Sequence, residues 1–375
     1  MRLKPQVILL GLAALLNDAA SEMIFPLLPV FLTGTLGATP VVVGLIEGAA
    51  DGLASILKYF AGSWSDRMPR RKPFIAGGYG LAAASRALIA LAGAWPMVLA
   101  ARLLDRTGKG ARSAPRDSLI ADVTPPEDRG RAFGFHRALD HTGAIVGPLL
   151  ALGLMYGLGF SVRQTFFFAI IPGALGVLLI VFFLREERRD VVVRTKEQAR
   201  IPTRPLVAIS LFSLANSSDA FLILRAHDAG VAASMLPLLW AAHHLIKALF
   251  STRAGALSDR MDRRRLLMAG WLLYAVLYLL FPLATSLELF FVLFVLYAVP
   301  FTLTEGAERA WIADLVPASS RGKSFGMYYL ANGLCVLAGT ALFGVIYQEV
   351  SPWAAFATGA ALAVAAAVVV ATGRR

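Results

Sequence analysis

The sequence predicts an all-α membrane protein: twelve transmembrane helices in two pseudo-symmetric six-helix bundles. Three observations predict it. The 375 residues are 57% apolar and only 16% charged, against about 25% charged in a soluble domain, and no soluble fold could bury that much apolar surface. Lys and Arg collect in alternate loops, as they do in multi-span proteins. The chain also repeats itself at an offset of 192–193 residues.

A membrane helix needs about 20 residues, so twelve take about 240 and leave no room for a separate soluble domain. The spans follow in order. Residues 6–32 begin after Arg2 and Lys4. Their first twenty residues have the look of a signal peptide, but the apolar run resumes through Phe25–Leu32 and is long enough to span. Residues 40–64 and 73–93 flank the basic loop Arg67, Arg70, Arg71, Lys72. Residues 96–121 and 130–157 flank Arg129 and Arg131. Residues 163–184 close the first half (1–184), and a charged linker, 185–204, carries seven Arg and Lys residues. The second half (205–375) holds spans at 205–225, 231–256, 265–285, 287–314, 322–348 and 352–373, with Arg260 and Arg263–Arg265, then Arg321 and Lys323, then Arg374 and Arg375 in its basic segments. The opposite loops offer only Arg163 and Arg225. Basic segments face the cytoplasm, so both termini are expected there, in a bacterial-type inner membrane. This placement explains the net charge of +12 without any nucleic-acid partner. Alternating ten-residue strands, the mark of a barrel, are missing.

In the repeat, AGSWSDR at 61–67 matches AGALSDR at 254–260, each followed by a basic cluster. Ala121-Asp122, Arg129-Gly130 and Phe133-Gly134 match Ala313-Asp314, Arg321-Gly322 and Phe325-Gly326 at a constant offset of 192. Six helices repeat as six, which is how many secondary transporters are built.

At these residues the chain resembles the major facilitator superfamily. Gly62-x-x-x-Asp66-Arg67-x-x-Arg70-Arg71 is similar to the family's signature loop between helices 2 and 3, with a partial copy at Gly255-x-x-x-Asp259-Arg260-x-x-Arg263-Arg264. Arg106-x-x-Lys109-Gly110 resembles the helix 4 pattern Arg-x-x-Gln-Gly, with Lys in place of Gln. Gly143-x-x-x-Gly147-Pro148 in helix 5 resembles the motif of the proton-linked antiporters. The resemblance implies rocker-switch alternating access with a cytoplasmic gate. Asp66 would meet the positive end of helix 11, and Arg67, Arg70 or Arg71 would pair with Asp122. Asp259, Arg263 and Asp314 would form a weaker mirrored set. The helix 5 glycines would pack tightly against the opposite half, and Pro148 favours a kink.

Ionisable groups inside spans cost about 2.5–3.5 kcal/mol each on insertion scales, so they face protein or water and are candidates for function. Helix 1 holds Asn17, with Asp18 and Glu22 on one face, a pair suited to a proton or a cation. Helix 2 holds Asp51. Helix 5 carries His136 and Asp140 on one face and Arg137 and His141 on another. His-Asp pairs relay protons, bind a transition metal, here His136 and Asp140 with Asp18, or clasp a neighbouring helix such as the one with His243. Helix 7 holds Asn216 and Asp219, and Glu305 is the cavity candidate on helix 10. Arg86, Arg102 and Arg106 are expected as partners for these acids.

No phosphate-binding loop, dinucleotide fingerprint, HExxH or GxSxG occurs, and the single cysteine, Cys335, excludes a disulfide framework. No cofactor is expected. The drive is an ion gradient, H⁺ foremost, worth about 2.3 kcal/mol per charge per 100 mV. The reading is a monomeric secondary transporter, not an enzyme, that exports a small molecule by proton antiport. Its rivals are a carrier of a divalent metal or metal chelate, proton-symport uptake, and a membrane enzyme or receptor without transport.

Overall fold

The computed structural model describes residues 3–188, 201–216, 221, 222, 225 and 236–372, without the side chains of residues 30, 40, 41, 43–45, 47–49, 51, 52 and 236–238. Asp219, linker residues 189–200 and the last two arginines lie outside the described residues, as does the side chain of Asp51.

The described chain is helical, with no strand among the described residues. Its long helices are α1 Pro5–Glu22, α2 Pro40–Asp66, α3 Lys72–Leu91, α4 Trp95–Val123, α5 Arg129–Leu152, α6 Val162–Leu178, α7 Thr203–Ala215, α8 Leu236–Arg260, α9 Arg263–Leu280, α10 Leu287–Leu315 (interrupted at Tyr297), α11 Arg321–Glu349 and α12 Pro352–Ala371. Eight helical stretches, those of α1, α3, α5, α6 and α9–α12, are long and apolar enough to cross a bilayer. Helices α2, α4 and α8 have 27, 29 and 25 residues, ample length to span, but carry more polar sequence. Helix α7 is described only to Ala215. The chain is an all-α membrane protein with twelve spanning helices.

Local chemistry sets the helix ends. Thr39 accepts from the Val42 N–H before Pro40, Ser161 and Gln164 form a capping box, and Ser286, Ser351 and Asp262 cap α10, α12 and α9. The first span departs from the sequence expectation. Its α-helix ends at Glu22, and the chain continues through short turns at Phe25–Leu27, Leu28–Val30 and Phe31–Thr35. Pro26 and Pro29 remove two N–H donors there, so a regular ladder cannot continue.

The chain forms two compact units. The first contains Met1–Pro125, His136–Ala199 and Val316–Tyr329; the second contains Pro126–Phe135, Arg200–Leu315 and Leu330–Arg375. In the first unit α3 packs on α4 and α6, α2 on α4, and α1 on α6. In the second, α9 packs on α10 and α12, α8 on α10, and α7 on α12. Adding six to each helix number turns one set of pairings into the other, so the sequence repeat is also a repeat of packing.

Packing in lipid relies on close approach and shape, because tails are as apolar as the side chains. Gly78 and Gly108 do this between α3 and α4: a methyl on Gly78 would stand 2.6 Å from the Gly108 carbonyl oxygen. The second unit is filled instead by rings. Tyr274, Tyr278, Tyr297 and Phe281 are buried, with Tyr274 and Tyr278 stacked at 4.2 Å. The Tyr274 hydroxyl donates to the Ala215 carbonyl at 2.9 Å, so its polar end is satisfied.

Candidate functional site

Each unit gathers one network of charges at its Arg- and Lys-rich end. In the first, Asp66 closes α2 and receives the N-terminus of α11. Its two oxygens accept from the Gly322 and Lys323 N–H groups at 2.9 and 2.8 Å. These donors have no partner within α11, and the helix dipole favours a carboxylate there. Arg71, fully buried, donates to Asp66 at 2.9 Å and to Asp122 at 2.6 Å. Arg321 donates to the other Asp122 oxygen at 2.6 Å. Of the three candidate arginines, Arg71 alone is in this network among the described residues; the side chains of Arg67 and Arg70 are exposed. Gly62 makes the contact possible, because a methyl there would overlap the Gly322 carbonyl oxygen.

The second unit holds the counterpart. Asp259 accepts from the Gly130 and Arg131 N–H groups at 2.7 and 2.8 Å, at the start of α5. Arg263 pairs with Asp259 at 2.9 Å and with Asp314 at 2.8 Å, and Arg129 pairs with Asp314 at 2.6 Å. Arg263 follows Asp259 by four residues where Arg71 follows Asp66 by five, so Arg263 takes the role of Arg71 while Arg264 turns to Asp262 at 2.8 Å. Asp314 is 30% exposed against 13% for Asp122, so water screens the second network more. Arg129 and Arg321 belong to these networks although the sequence placed them only among the basic anchors. The 192-residue repeat, which pairs Arg129 with Arg321, was the signal for them.

Glu186 was also missed. It accepts from the Arg71 and Lys72 N–H groups, 2.7 Å each, and so caps α3 from the start of the linker. Its only sequence sign was an acid within a basic segment.

Within the spans of the first unit most charges are paired. Asp140 accepts from Arg137 at 2.7 Å and lies 3.4 Å from His136. Asp117 is held by Arg116 at 2.9 Å and by the Tyr329 hydroxyl. Asp105 lies 3.6 Å from Arg102 and 3.8 Å from Arg106. Arg86 donates to the Asn17 carbonyl and side chain and to Ser21, and the Asn17 amide donates to Asp18 at 2.9 Å. His141 is buried on α5.

Three groups stand apart. Asp18 and Glu22 are half-buried, and Lys109, midway along α4, is exposed. Asp18 and Lys109 feel each other's charge, and Glu22 feels both. Among the described residues, none of the three side chains is in an ion pair, and those of Glu22 and Lys109 make no hydrogen bond; the Lys109 carbonyl accepts from the Ser113 hydroxyl at 2.6 Å. An exposed Lys in mid-span, facing carboxylates of another helix, lines a wetted surface rather than lipid.

In the second unit Glu305 pairs with Lys247 at 2.7 Å, and Lys247 lies 4.9 Å over the Phe301 ring. His243 is buried among Trp240, Phe294 and Tyr297. Asn216 ends α7, its side chain half-buried.

Two expectations change. The α5 glycines face α1 of their own half, not the opposite half. A methyl on Gly143 would stand 2.5 Å from the Leu15 carbonyl, and one on Gly147 would overlap the Ala19 carbonyl. Bare glycine backbone lets α1 lie directly on α5, which seats Asp18 and Glu22. Pro148 lies inside α5, leaving the Ala144 carbonyl without its i+4 donor. The second change concerns metal: no group of three or more ligating side chains that could hold an ion occurs among the described residues. Asp140 is committed to Arg137 and His136, so His136, Asp140 and Asp18 do not form a ligand set. Gly110 likewise serves packing, since a methyl there would stand 2.5 Å from the Leu57 Cβ on α2.

A model of the Major Facilitator Superfamily matches residues 10–225 and 206–375. The chain is 31% identical over 374 residues to an uncharacterised MFS-type transporter of Methanocaldococcus jannaschii, covering 96% of this chain and 93% of that one. It is 24% identical over 353 residues to the multidrug resistance protein MdtH of Escherichia coli, covering 88% and 85%. The crystal structure of the human organic anion transporter MFSD10 superposes with a TM-score of 0.81 at 18% identity, covering 98% of this chain and all of that one. A bacterial homologue of the iron transporter ferroportin, in an outward-facing state, gives 0.75 at 14% identity, covering 98% and 99%. At these identities the two structures speak for the fold alone.

Proposed function

The chain belongs to the Major Facilitator Superfamily of membrane transporters, and from that premise we propose that it exports a small molecule in exchange for protons. One observation carries this reading: among the described residues, Asp18 and Glu22 stand without an ion pair and half-exposed in the first span, while Asp105, Asp117 and Asp140 are matched to bases. A carboxylate with no fixed counter-ion can take up and release a proton without breaking a structural pair. The likeness to MdtH, a multidrug resistance protein, supports outward transport.

In this reading the Asp66 and Asp259 networks lock the basic ends and part once per cycle. The basic ends and both termini face the cytoplasm, the membrane is a bacterial-type inner membrane, and the protein works as a monomer. The reconstituted protein should drive flux of a substrate against its gradient when only a pH difference is imposed, and Asp18→Asn should uncouple it. Equal pH-driven accumulation by wild type and the Asn variant would refute the assignment.

A further inference from the structure

The wetted surface of the first unit leaves charges of both signs open, and their arrangement constrains what can bind. Helix α4 carries Arg102, Arg106, Lys109, Arg112 and Arg116, spaced four, three, three and four apart. That spacing keeps them on one side of the helix. Four are engaged: Arg102 and Arg106 with Asp105, Arg112 over the Tyr79 ring at 4.7 Å, and Arg116 with Asp117. Lys109 is the member of the stripe with no contact of any of these kinds among the described residues.

Across from it, Asp18 and Glu22 lie one turn apart on α1, about 6 Å along the axis. Asp140, the remaining acid that acts on Asp18, is already held by Arg137 and His136. The open set is therefore two carboxylates on α1, a helix seated on α5 by glycine contacts, and one ammonium on α4, which packs against α1. Unpaired charges of both signs are stable in a span only where water, or a ligand of matching polarity, completes them.

We infer that the substrate is a zwitterion. Its ammonium or amidine group meets Asp18 and Glu22, and its carboxylate or equivalent acid group meets Lys109. The inference builds on the transport reading and adds the chemical class of the cargo. It also supplies the competition that antiport requires, because a proton on either carboxylate removes one of the two partners of the substrate's cation. Lys109 stands where the family pattern has Gln, and a neutral amide would hydrogen-bond an acid group without neutralising it.

The test uses three xanthene dyes of nearly equal size: a zwitterionic carboxyrhodamine, its cationic methyl ester and anionic fluorescein. Fluorescence polarisation with the detergent-purified full chain should show the zwitterion binding about tenfold or more tighter than the ester, the effect of one charge-assisted contact. Lys109→Gln should bring acid and ester together, while Lys109→Arg keeps the preference. Equal affinities in wild type, binding of neither dye, or an unchanged ratio in Lys109→Gln would overturn the inference. A clear preference in binding with no pH-driven flux in proteoliposomes would instead overturn the export reading and leave the zwitterion site standing.

Discussion

Replacing Asp66 by Asn removes the charge that closes α2 onto the start of α11. The carboxylate accepts hydrogen bonds from the Gly322 and Lys323 N–H groups and from Arg71. An amide keeps one acceptor oxygen. Its nitrogen would face one of the backbone N–H groups, donor against donor. Hydrogen bonds to a charged group contribute about 1.5–3 kcal/mol each. Arg71 keeps Asp122, which limits the loss. A net loss of about 2–4 kcal/mol follows, and at 1.4 kcal/mol per tenfold the open population rises about 30- to 700-fold. Ser324 is a suitable reporter, being 1% exposed on α11 beside this contact. With Cys335 first changed to Ala, Ser324→Cys should react slowly with a small maleimide in the parent and far faster with Asp66→Asn. A change below about threefold would refute the view that Asp66 bears the contact.

Asp259→Asn, read from Ser251→Cys, should raise labelling less than Asp66→Asn does, because Asp314 in that network is more exposed; an equal or larger rise would contradict this. Gly62→Ala should mimic Asp66→Asn, since its methyl overlaps the Gly322 carbonyl, whereas Gly34→Ala, with nothing within 4 Å, should leave labelling unchanged. Glu305→Gln should lower the melting temperature by leaving the Lys247 ammonium buried, and a double-mutant cycle with Lys247→Met should give a coupling of about 1 kcal/mol or more; additivity would deny the pair. Asp262→Ala should destabilise by about 1 kcal/mol through its cap on α9. The Arg264 hydrogen bond holds the Asp262 carboxyl below its usual 3.8, so this stabilisation is present above that value and is lost as pH falls further. The difference between the two melting temperatures should be full at pH 7 and shrink as the pH is lowered below 3.8; a difference that does not shrink would contradict this.

The sequence by itself determined the class of fold, the spans to within a few residues for most helices, and the twofold repeat of six helices. These features are local or periodic: apolar runs of bilayer length, basic loops and proline positions act on the segment that carries them. It also singled out Asp66, Asp122, Asp259 and Asp314, since acids among bases at repeated positions are visible in one dimension. Only the tertiary structure decided that Arg71 rather than Arg67 or Arg70 enters the network, that Arg129 and Arg321 complete the two sets, and that the α5 glycines serve α1. It alone separated the matched acids Asp105, Asp117, Asp140 and Glu305 from the open groups Asp18, Glu22 and Lys109. Whether a buried charge is paired depends on which helices lie side by side and how closely glycine lets them approach, a distance between residues far apart in the chain.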